Sequence, residues 1–405
     1  MGLIVQKYGG SSLADVEKIR NVARRVIALK EKGNQVVVVV SAMGSTTDEL
    51  LSLARQFTSD PDERELDVLL STGEVVSSAL LAIAVQSMGH KAVSLNGGQA
   101  GIQAEASYSR ARIRAVVPRR IWSELGEGNI VVVAGFQGIT EEMDIVTLGR
   151  GGSDTTAVAL AVSLGAEACH ICTDVEGVYT ADPRLVPEAR KLGEIDYDEM
   201  LEMATYGAKV MHPRAVEIGK LYNMPILVAC SFNDSPGTLI HGGTTVELGN
   251  KVRGVAHDLN VAKVTVLGVP DRPGIAATLF EPLAQAGISV DTIVQNTSVD
   301  GITDLTFTVA QSDLEKASRI VEPITRSIGS RGCVTAAGLG KVSIIGSGMQ
   351  NTPGYAARMF KALSEAGINI EIISTSEIRI TCIVDGGKVP DAVRALHSAF
   401  QLEEE

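Results

Sequence analysis

Gln35-Val36-Val37-Val38-Val39-Val40 runs directly into Ser41-Ala42-Met43-Gly44-Ser45-Thr46-Thr47-Asp48. An unbroken β-branched run leaves no polar face for water, so it reads as a strand covered on both sides, the habit of parallel sheets. The polar, glycine-containing stretch behind it marks the strand's carboxyl end. Upstream, Val16, Ile19, Val22, Val26 and Leu29 recur at helical spacing, and residues 3–6 form a shorter apolar strand. The same strand reading fits residues 129–134, 167–172 and 225–229, with helices between them, for example at 77–88 and 155–164. Alternating strand and helix over about the first 245 residues predicts an α/β unit, a mainly parallel sheet with helices on both faces.

The remainder contains a repeat. Pro273, Gly274, Ala276, Ala277, Phe280, Leu283, Ala286, Gly287 and Ile288 recur 80 residues later as Pro353, Gly354, Ala356, Ala357, Phe360, Leu363, Ala366, Gly367 and Ile368. Each copy reads β-α-β-β-α, a small α+β sheet module of ferredoxin-like type. The predicted organisation is 1–245, 246–335 and 336–405.

With 405 residues the chain is long enough for two or three domains with real cores. Its 45% hydrophobic and 21% charged residues exclude a largely disordered chain. No uninterrupted apolar run reaches the roughly 18 residues of a membrane span. A net charge of −12 argues against a nucleic-acid partner while leaving room for an anionic small ligand. Five scattered cysteines and no basic-then-apolar leader point to a reduced, cytoplasmic chain.

Four segments fall where parallel strands end, the usual crevice for ligands in such sheets. Lys7-Tyr8-Gly9-Gly10-Ser11-Ser12 offers a positive charge beside glycines that admit a phosphate. The stretch from Ser41 to Asp48 supplies hydroxyls, with Thr47 or Asp48 able to cap the next helix. Leu148-Gly149-Arg150-Gly151-Gly152-Ser153-Asp154 sets an arginine among glycines ahead of a helix that Ser153 or Asp154 can cap. Arg150 can bind a carboxylate through two parallel hydrogen bonds. The fourth runs from Thr173 and Asp174 through Tyr179 to Asp182 and Arg184. Tyr206-Gly207-Ala208-Lys209-Val210-Met211-His212-Pro213 adds another lysine. Glu74 reads as an acid at a helix start. Cys169 and Cys172 have CxxC spacing but face opposite sides of a strand, so no metal site is expected.

Taken in order, KYGGSS, VVVVSAMGSTTDEL, STGEVVSS, LGRGGSDTTA, TDVEGVYTADPR and YGAKVMHPRA resemble the aspartate kinases of monofunctional type. The duplicated module resembles a pair of ACT domains. The resemblance implies an amino-acid-kinase fold and transfer of phosphate from ATP with Mg2+ to the β-carboxylate of L-aspartate. It implies no tightly bound cofactor, and feedback by lysine, threonine or both. It implies Lys7 and Lys209 on the transferring phosphoryl group, oriented by Asp154. Arg150 would hold the aspartate α-carboxylate and Glu74 its ammonium group, with Ser41, Thr47, Gly151, Gly152 and Ser153 completing that site. Tyr8, Gly9, Gly10, Thr173, Asp174, Tyr179, Asp182, Arg184 and Val210, with the two lysines, would meet the nucleotide.

For effectors, Asp271, Gly274, Ile275 and Ala276 open a helix whose free N–H groups can receive a carboxylate. The strand residues Asp291, Thr292 and Ile293, then Gln295 and Asn296, would take the other end. In the second copy the equivalents are Gln350-Asn351-Thr352-Pro353-Gly354-Tyr355 and Ala356, with Asn369, Ile370, Ser376 and Glu377. A homo-oligomer, or pairing with a short regulatory chain, is expected. The rival readings are a kinase of the same fold acting on glutamate, N-acetylglutamate or a nucleoside monophosphate, and a non-catalytic amino-acid sensor.

Overall fold

The valine run is a central strand, and its neighbours explain why it tolerates no polar residue. Residues 2–208, 210–243, 252–296, 301–349 and 352–404 are described by a computed structural model. The chain divides into two units, Met1–Tyr179 with Lys191–Thr245, and Thr180–Arg190 with Val246–Glu405.

In chain order the first unit carries β1 (Leu3–Tyr8), α1 (Val16–Glu31), β2 (Gln35–Val40), α2 (Thr46–Arg55), α3 (Glu63–Ser87) and β3 (Ala92–Leu95). There follow β4 (Ile102–Ala104), β5 (Ile113–Val116), α4 (Arg119–Gly126), β6 (Ile130–Ala134), β7 (Gln137–Ile139), β8 (Ile145–Thr147), α5 (Gly152–Ser163) and β9 (Ala168–Thr173). It resumes with β10 (Glu194–Asp196), α6 (Tyr197–Thr205), α7 (Pro213–Tyr222), β11 (Ile226–Cys230) and β12 (Thr238–His241).

Eight strands form one sheet in the order β10-β12-β11-β9-β1-β2-β6-β3. From β11 through to β3 every neighbouring pair is parallel, while β12 runs against β11. Val36, Val38 and Val40 pack with Ile19, Val22 and Val26 of α1 and Leu81 and Val85 of α3. Val37 and Val39 alternate to the other face, where α5 lies against β1, β2 and β9. All five valines have no exposed surface, and burying each such side chain stabilises by about 1.5–3 kcal/mol. The same parallel arrangement brings the ends of β1, β2, β6, β9 and β11 to one edge.

Helix α3 begins at Glu63 rather than at residue 77, which places Glu74 in mid-helix and not at a helix start. Its buried face carries Asp67, Ser71, Glu74, Ser77 and Ser78 among the leucines. That polar content hides the apolar period, and Gly73 reads as punctuation. By length and composition α3 could cross a membrane; here its buried polar face serves the site described below.

The second unit carries β13 (Gly254–Pro270), α8 (Ile275–Gln285), β14 (Val290–Gln295), β15 (Ile302–Val309), α9 (Leu314–Ile328), β16 (Gly332–Ile345), α10 (Tyr355–Glu365), β17 (Ile372–Thr375), β18 (Arg379–Asp385) and α11 (Val389–Ala399). Both repeats share one antiparallel sheet, ordered β14-β15-β13-β16-β18-β17. Strand β13 serves both. Ala262–Pro270 pairs with β15, whereas Gly254–Asp258 pairs with Lys341–Ile345 of β16.

Val252 and Val255 accordingly sit in the second repeat's core with Val342, Ile344, Leu363 and Leu396. Ala181 and Val186, from the excursion Thr180–Arg190, join the same core. The excursion Thr180–Arg190 and the strand Gly254–Asp258 thus both join the later repeat, and residues 244–251 lie outside the described ones. The repeat signature begins only at Pro273, so nothing local assigns the start of β13 to the later copy.

Candidate active site

At the end of β1, alternation sends neighbouring side chains to opposite faces. Tyr8 points into the core, where its hydroxyl donates to Gln6 Oε1 at 3.3 Å. Its ring is therefore packing, and not the nucleotide contact expected from the motif; β1 extends two residues further than the apolar run suggests. Lys7 points the other way, toward α5, where Nζ stands 2.7 Å from Asp154 Oδ1. The two side chains are 13% and 10% exposed, and they meet in distance rather than in aligned hydrogen-bond angle. The second oxygen, Asp154 Oδ2, accepts the His212 backbone N–H at 3.2 Å.

The glycines around Arg150 have separate uses. Gly151 caps α5 in the left-handed region at φ 68°, and a Cβ there would stand 2.2 Å from His212 Cγ. No other residue fits so close an approach. The cap is thus Gly151, not Ser153 or Asp154. Asp154 is left in the first turn, where the positive end of the helix dipole favours its charge. Ser153 is buried at the Gly135 turn, where a Cβ would lie 2.9 Å from its own. Burial holds the His212 imidazole below its usual range.

The loops after β1, β2, β9 and β11 are stitched together. Ser41 N–H donates to Tyr8 O at 3.1 Å, Gly44 N–H to Gly10 O at 3.0 Å, and Gly9 N–H to Cys172 O at 3.4 Å. A Cβ on Gly10 would meet Ala42 O at 2.7 Å. Ser12 Oγ and Ser231 Oγ lie 2.7 Å apart, and Ser231 Oγ also donates to Thr173 O at 3.0 Å. Ser231 has no motif around it, and nothing in its local sequence could have found it. Thr47 stands half-buried in the first turn of α2, whose cap is Ser45 rather than Thr47 or Asp48. Ser45 Oγ reaches forward to Glu49 Oε1 at 2.5 Å instead.

Glu74 is 3% exposed. Its Oε1 accepts the Ala42 N–H at 3.0 Å, while Oε2 has no hydrogen-bond partner. Burial lifts its carboxyl to about 7. A buried carboxylate with one unsatisfied oxygen is suited to receiving a cation.

Arg150 is exposed at the loop tip. The loop itself is held by buried Asp67 of α3, which carries no motif signal, and by half-buried Arg214 of α7. Asp67 Oδ2 accepts the Thr147 N–H at 2.8 Å, and Arg214 Nη1 donates to Leu148 O at 2.7 Å.

The nucleotide set divides. Thr173 closes β9, with its hydroxyl 3.2 Å from Asp174 Oδ1, and half-buried Tyr179 bridges to Lys191. Asp182 and Arg184 fall in the second unit. There Arg184 Nε and Nη2 meet Asp182 at 3.0 and 2.7 Å. Arg184 is 87% exposed and lowers the Asp182 carboxyl below its usual range. Val210 is half-buried ahead of α7, and Lys209 lies outside the described residues.

In the second unit, Gly274 and Gly354 cap α8 and α10 in matching left-handed conformations, at φ 92° and 108°. Asp271, Ala276, Ile293, Gln295 and Asn296 are exposed, whereas Ile275 and Thr292 are buried. Thr292 N–H donates to Thr308 Oγ1 at 3.1 Å, and Asp291 pairs with Lys341. A cavity of about 250 Å³ brings Tyr355 and Ala356 together with Ser376 and Glu377. Ile370 lines another of about 300 Å³, with Lys263, Val294 and Thr306 of the first repeat. Asn369 is exposed ahead of β17. Gln350 and Asn351 lie outside the described residues.

Residues 2–230 match the amino acid kinase family, and residues 263–324 and 342–400 each match an ACT domain. The aspartokinase of Mycolicibacterium smegmatis is 50% identical over 407 residues, covering 99% of this chain and 97% of that protein. That of Geobacillus stearothermophilus is 50% identical over 405 residues, covering 100% and 98%. The chain belongs to the aspartokinases.

Like other aspartokinases it is a phosphotransferase enzyme, an amino acid kinase domain followed by two ACT domains. Its fold is close to E. coli aspartokinase III solved in complex with aspartate and ADP, with TM-score 0.82 and 26% identity, covering 98% of this chain and 99% of that one. The lysine and aspartate complex of that aspartokinase gives TM-score 0.75 at 25% identity, with the same coverage.

Proposed function

We propose that this aspartokinase transfers the γ-phosphoryl group of ATP to the β-carboxylate of L-aspartate, giving 4-phospho-L-aspartate and ADP. The observation that carries this reading is the Lys7–Asp154 pair, set on one strand edge with the unsatisfied Glu74 oxygen and the Arg150 loop. A β-carboxylate oxygen attacks the γ-phosphorus, and the bond to the bridging oxygen breaks with its electron pair leaving on ADP. An aspartate carboxyl with a pKa of about 3.9 is already ionised, so no general base is needed. What the site must supply is positive charge where negative charge gathers.

In this reading Lys7 and Lys209 supply that charge, and Asp154 orients Lys7. Arg150 holds the α-carboxylate and Glu74 the ammonium. Ser41, Thr47, Gly151, Gly152 and Ser153 border the substrate. Gly9, Gly10, Thr173, Asp174 and Tyr179 meet the nucleotide from the first unit. Among the described residues no three His, Cys, Asp or Glu are grouped to hold a metal. In this reading Mg2+ enters on ATP oxygens, where it neutralises phosphate charge. Initial rates of ADP release with aspartate, glutamate and N-acetylglutamate test the acceptor. Faster turnover with either alternative would overturn the assignment.

The state of Glu74 gives a pH prediction. Its carboxyl rises from an ordinary 4.5 to about 7 in the fold, so the folded chain holds this proton more tightly than the unfolded one. Its contribution to stability is full below about pH 4.5 and is lost as pH rises through about 7. At pH 8 the ligand-free enzyme therefore carries a penalty on the order of 3 kcal/mol. Glu74→Gln should raise the pH 8 melting temperature while weakening aspartate binding. In the unmodified enzyme the aspartate KM should rise roughly tenfold from pH 8 to pH 6, because the ammonium needs the ionised form. A flat KM profile would remove Glu74 from the ammonium site.

The ACT pair supports feedback by lysine, threonine or both, in a cytoplasmic enzyme that supplies the pathways to those amino acids and methionine. Assembly is with a second copy or a short regulatory chain, since each small module has a sheet edge to pair. Asp271→Ala should blunt inhibition at least severalfold while uninhibited turnover stays within twofold. Inhibition curves with each effector check this. Normal inhibition by every effector would exclude the first-repeat pocket and move attention to Tyr355 and Asn369.

A further inference from the structure

Arg150 poses a mechanical problem. A bidentate grip on a carboxylate requires a fixed fork, yet Gly149, Gly151 and Gly152 surround it with the most flexible backbone available. We infer that Asp67 and Arg214 are positioning residues that hold the Arg150 loop, and through it the substrate carboxylate. The inference rests on the reading of Arg150 given above.

Asp67 has no exposed surface, and it grips two chain segments at once. Oδ2 accepts the N–H groups of Thr147 at 2.8 Å and Ser109 at 2.9 Å. Oδ1 accepts the Thr147 hydroxyl at 2.7 Å and lies 3.5 Å from the Ser109 hydroxyl. Arg214 ties the same two segments one and two residues further on. Nη1 donates to Leu148 O at 2.7 Å and Nη2 to Ala111 O at 3.1 Å. Ala111 N–H donates to Thr147 O at 3.0 Å between them. Residues 109–111 and 147–148 are thus locked side by side, with the lock ending two residues before Arg150.

The conformations show what the lock holds. Ser109 sits at φ 64°, a left-handed position that serine rarely takes without outside support. Gly149 passes so near that a Cβ on it would stand 3.1 Å from Ser109 O. On the far side of Arg150, Gly151 lies against His212, two residues before Arg214 and in the same turn. The loop is gripped on both flanks, and only its tip is exposed.

Charge is a costly way to fill buried space, since a carboxylate among neutral donors repays its desolvation only through several hydrogen bonds. An apolar side chain would fill the same place without that cost. What the carboxylate and guanidinium add is direction: each aims two hydrogen bonds at backbone, on a segment whose other side pairs with β7 through Gln137 and Phe136 O. Asp67 lies on the buried face of α3 that also carries Glu74, seven residues on. One rigid helix therefore references both groups assigned to the α-amino-acid head of the substrate.

The test is steady-state kinetics of the full-length chain with aspartate and ATP varied separately. Thr147→Val keeps the side-chain volume and removes one hydrogen bond to Asp67. It should raise the aspartate KM about fivefold. Asp67→Asn and Arg214→Lys should raise it tenfold or more, with the ATP KM within twofold throughout. In an Arg150→Ala background, Thr147→Val should have no further effect on aspartate KM. Should Asp67→Asn fail to fold, Thr147→Val and Arg214→Lys decide the matter.

A lowered melting temperature with both KM values unchanged, or both raised equally, would make these residues structural and overturn the inference. If Arg150→Ala raises the aspartate KM and Thr147→Val does not, the positioning role alone fails. If Arg150→Ala leaves the aspartate KM unchanged, the reading of Arg150 fails, and this inference with it.

Discussion

Lys7→Ala is expected to lower kcat by roughly 10²–10³-fold, the usual cost of removing a preorganised charge donor from a transition state. The aspartate KM should change little, because the ammonium Nζ is set to meet charge that develops on the transferring group. The same substitution should also destabilise the fold. It leaves Asp154, 10% exposed, without the cation 2.7 Å away. Breaking one side of a buried pair typically costs about 3–5 kcal/mol.

The double variant Lys7→Ala/Asp154→Ala separates the two effects. It removes the stranded charge, so the melting temperature should recover while turnover stays low. Thermal unfolding alongside initial rates reads both. Near-normal turnover in Lys7→Ala, with a raised ATP KM as the only change, would demote Lys7 to holding ATP in the ground state.

Arg150→Ala is expected to raise the aspartate KM by roughly 10- to 150-fold, the range that corresponds to about 1.5–3 kcal/mol for charged hydrogen bonds. The ATP KM should stay within twofold. Stability should hardly move, since Arg150 is exposed at a loop tip and its anchoring is done by other residues. Arg150→Lys should recover only part of the loss, because an ammonium cannot reproduce the planar fork. Equal rises in both Michaelis constants would show that the loop serves the nucleotide as well, and would contradict the assignment.

The sequence by itself determined the periodic part of this protein. Five consecutive valines could be nothing but a strand covered on both faces, and the run Pro273 to Ile288 announced its own second copy. Those readings depend on periods of 2 and 3.6 residues, which are properties of neighbouring backbone and need no knowledge of the rest of the chain. Motifs also named most of the candidate site, because glycines at left-handed positions leave a local signature. Gly151 is such a case, although what demands a glycine there is His212, far along the chain.

Pairing was decided only by the tertiary structure. Lys7 and Asp154 meet because α5 lies against β1, and no spacing between them encodes that. Tyr8 and Lys7 share a motif, yet the pleat sends one into the core and the other to the site. Glu74 looked like a helix-start acid, and burial in mid-helix is what leaves its oxygen unsatisfied. Asp67 and Ser231 carry no local mark, and the motif that holds Arg214 does not name its partners, because those partners lie on other elements. The strand Gly254–Asp258 pairs into the later repeat for the same reason. Local conformation follows from adjacent residues, whereas burial and hydrogen-bond partnership belong to whatever the fold brings alongside.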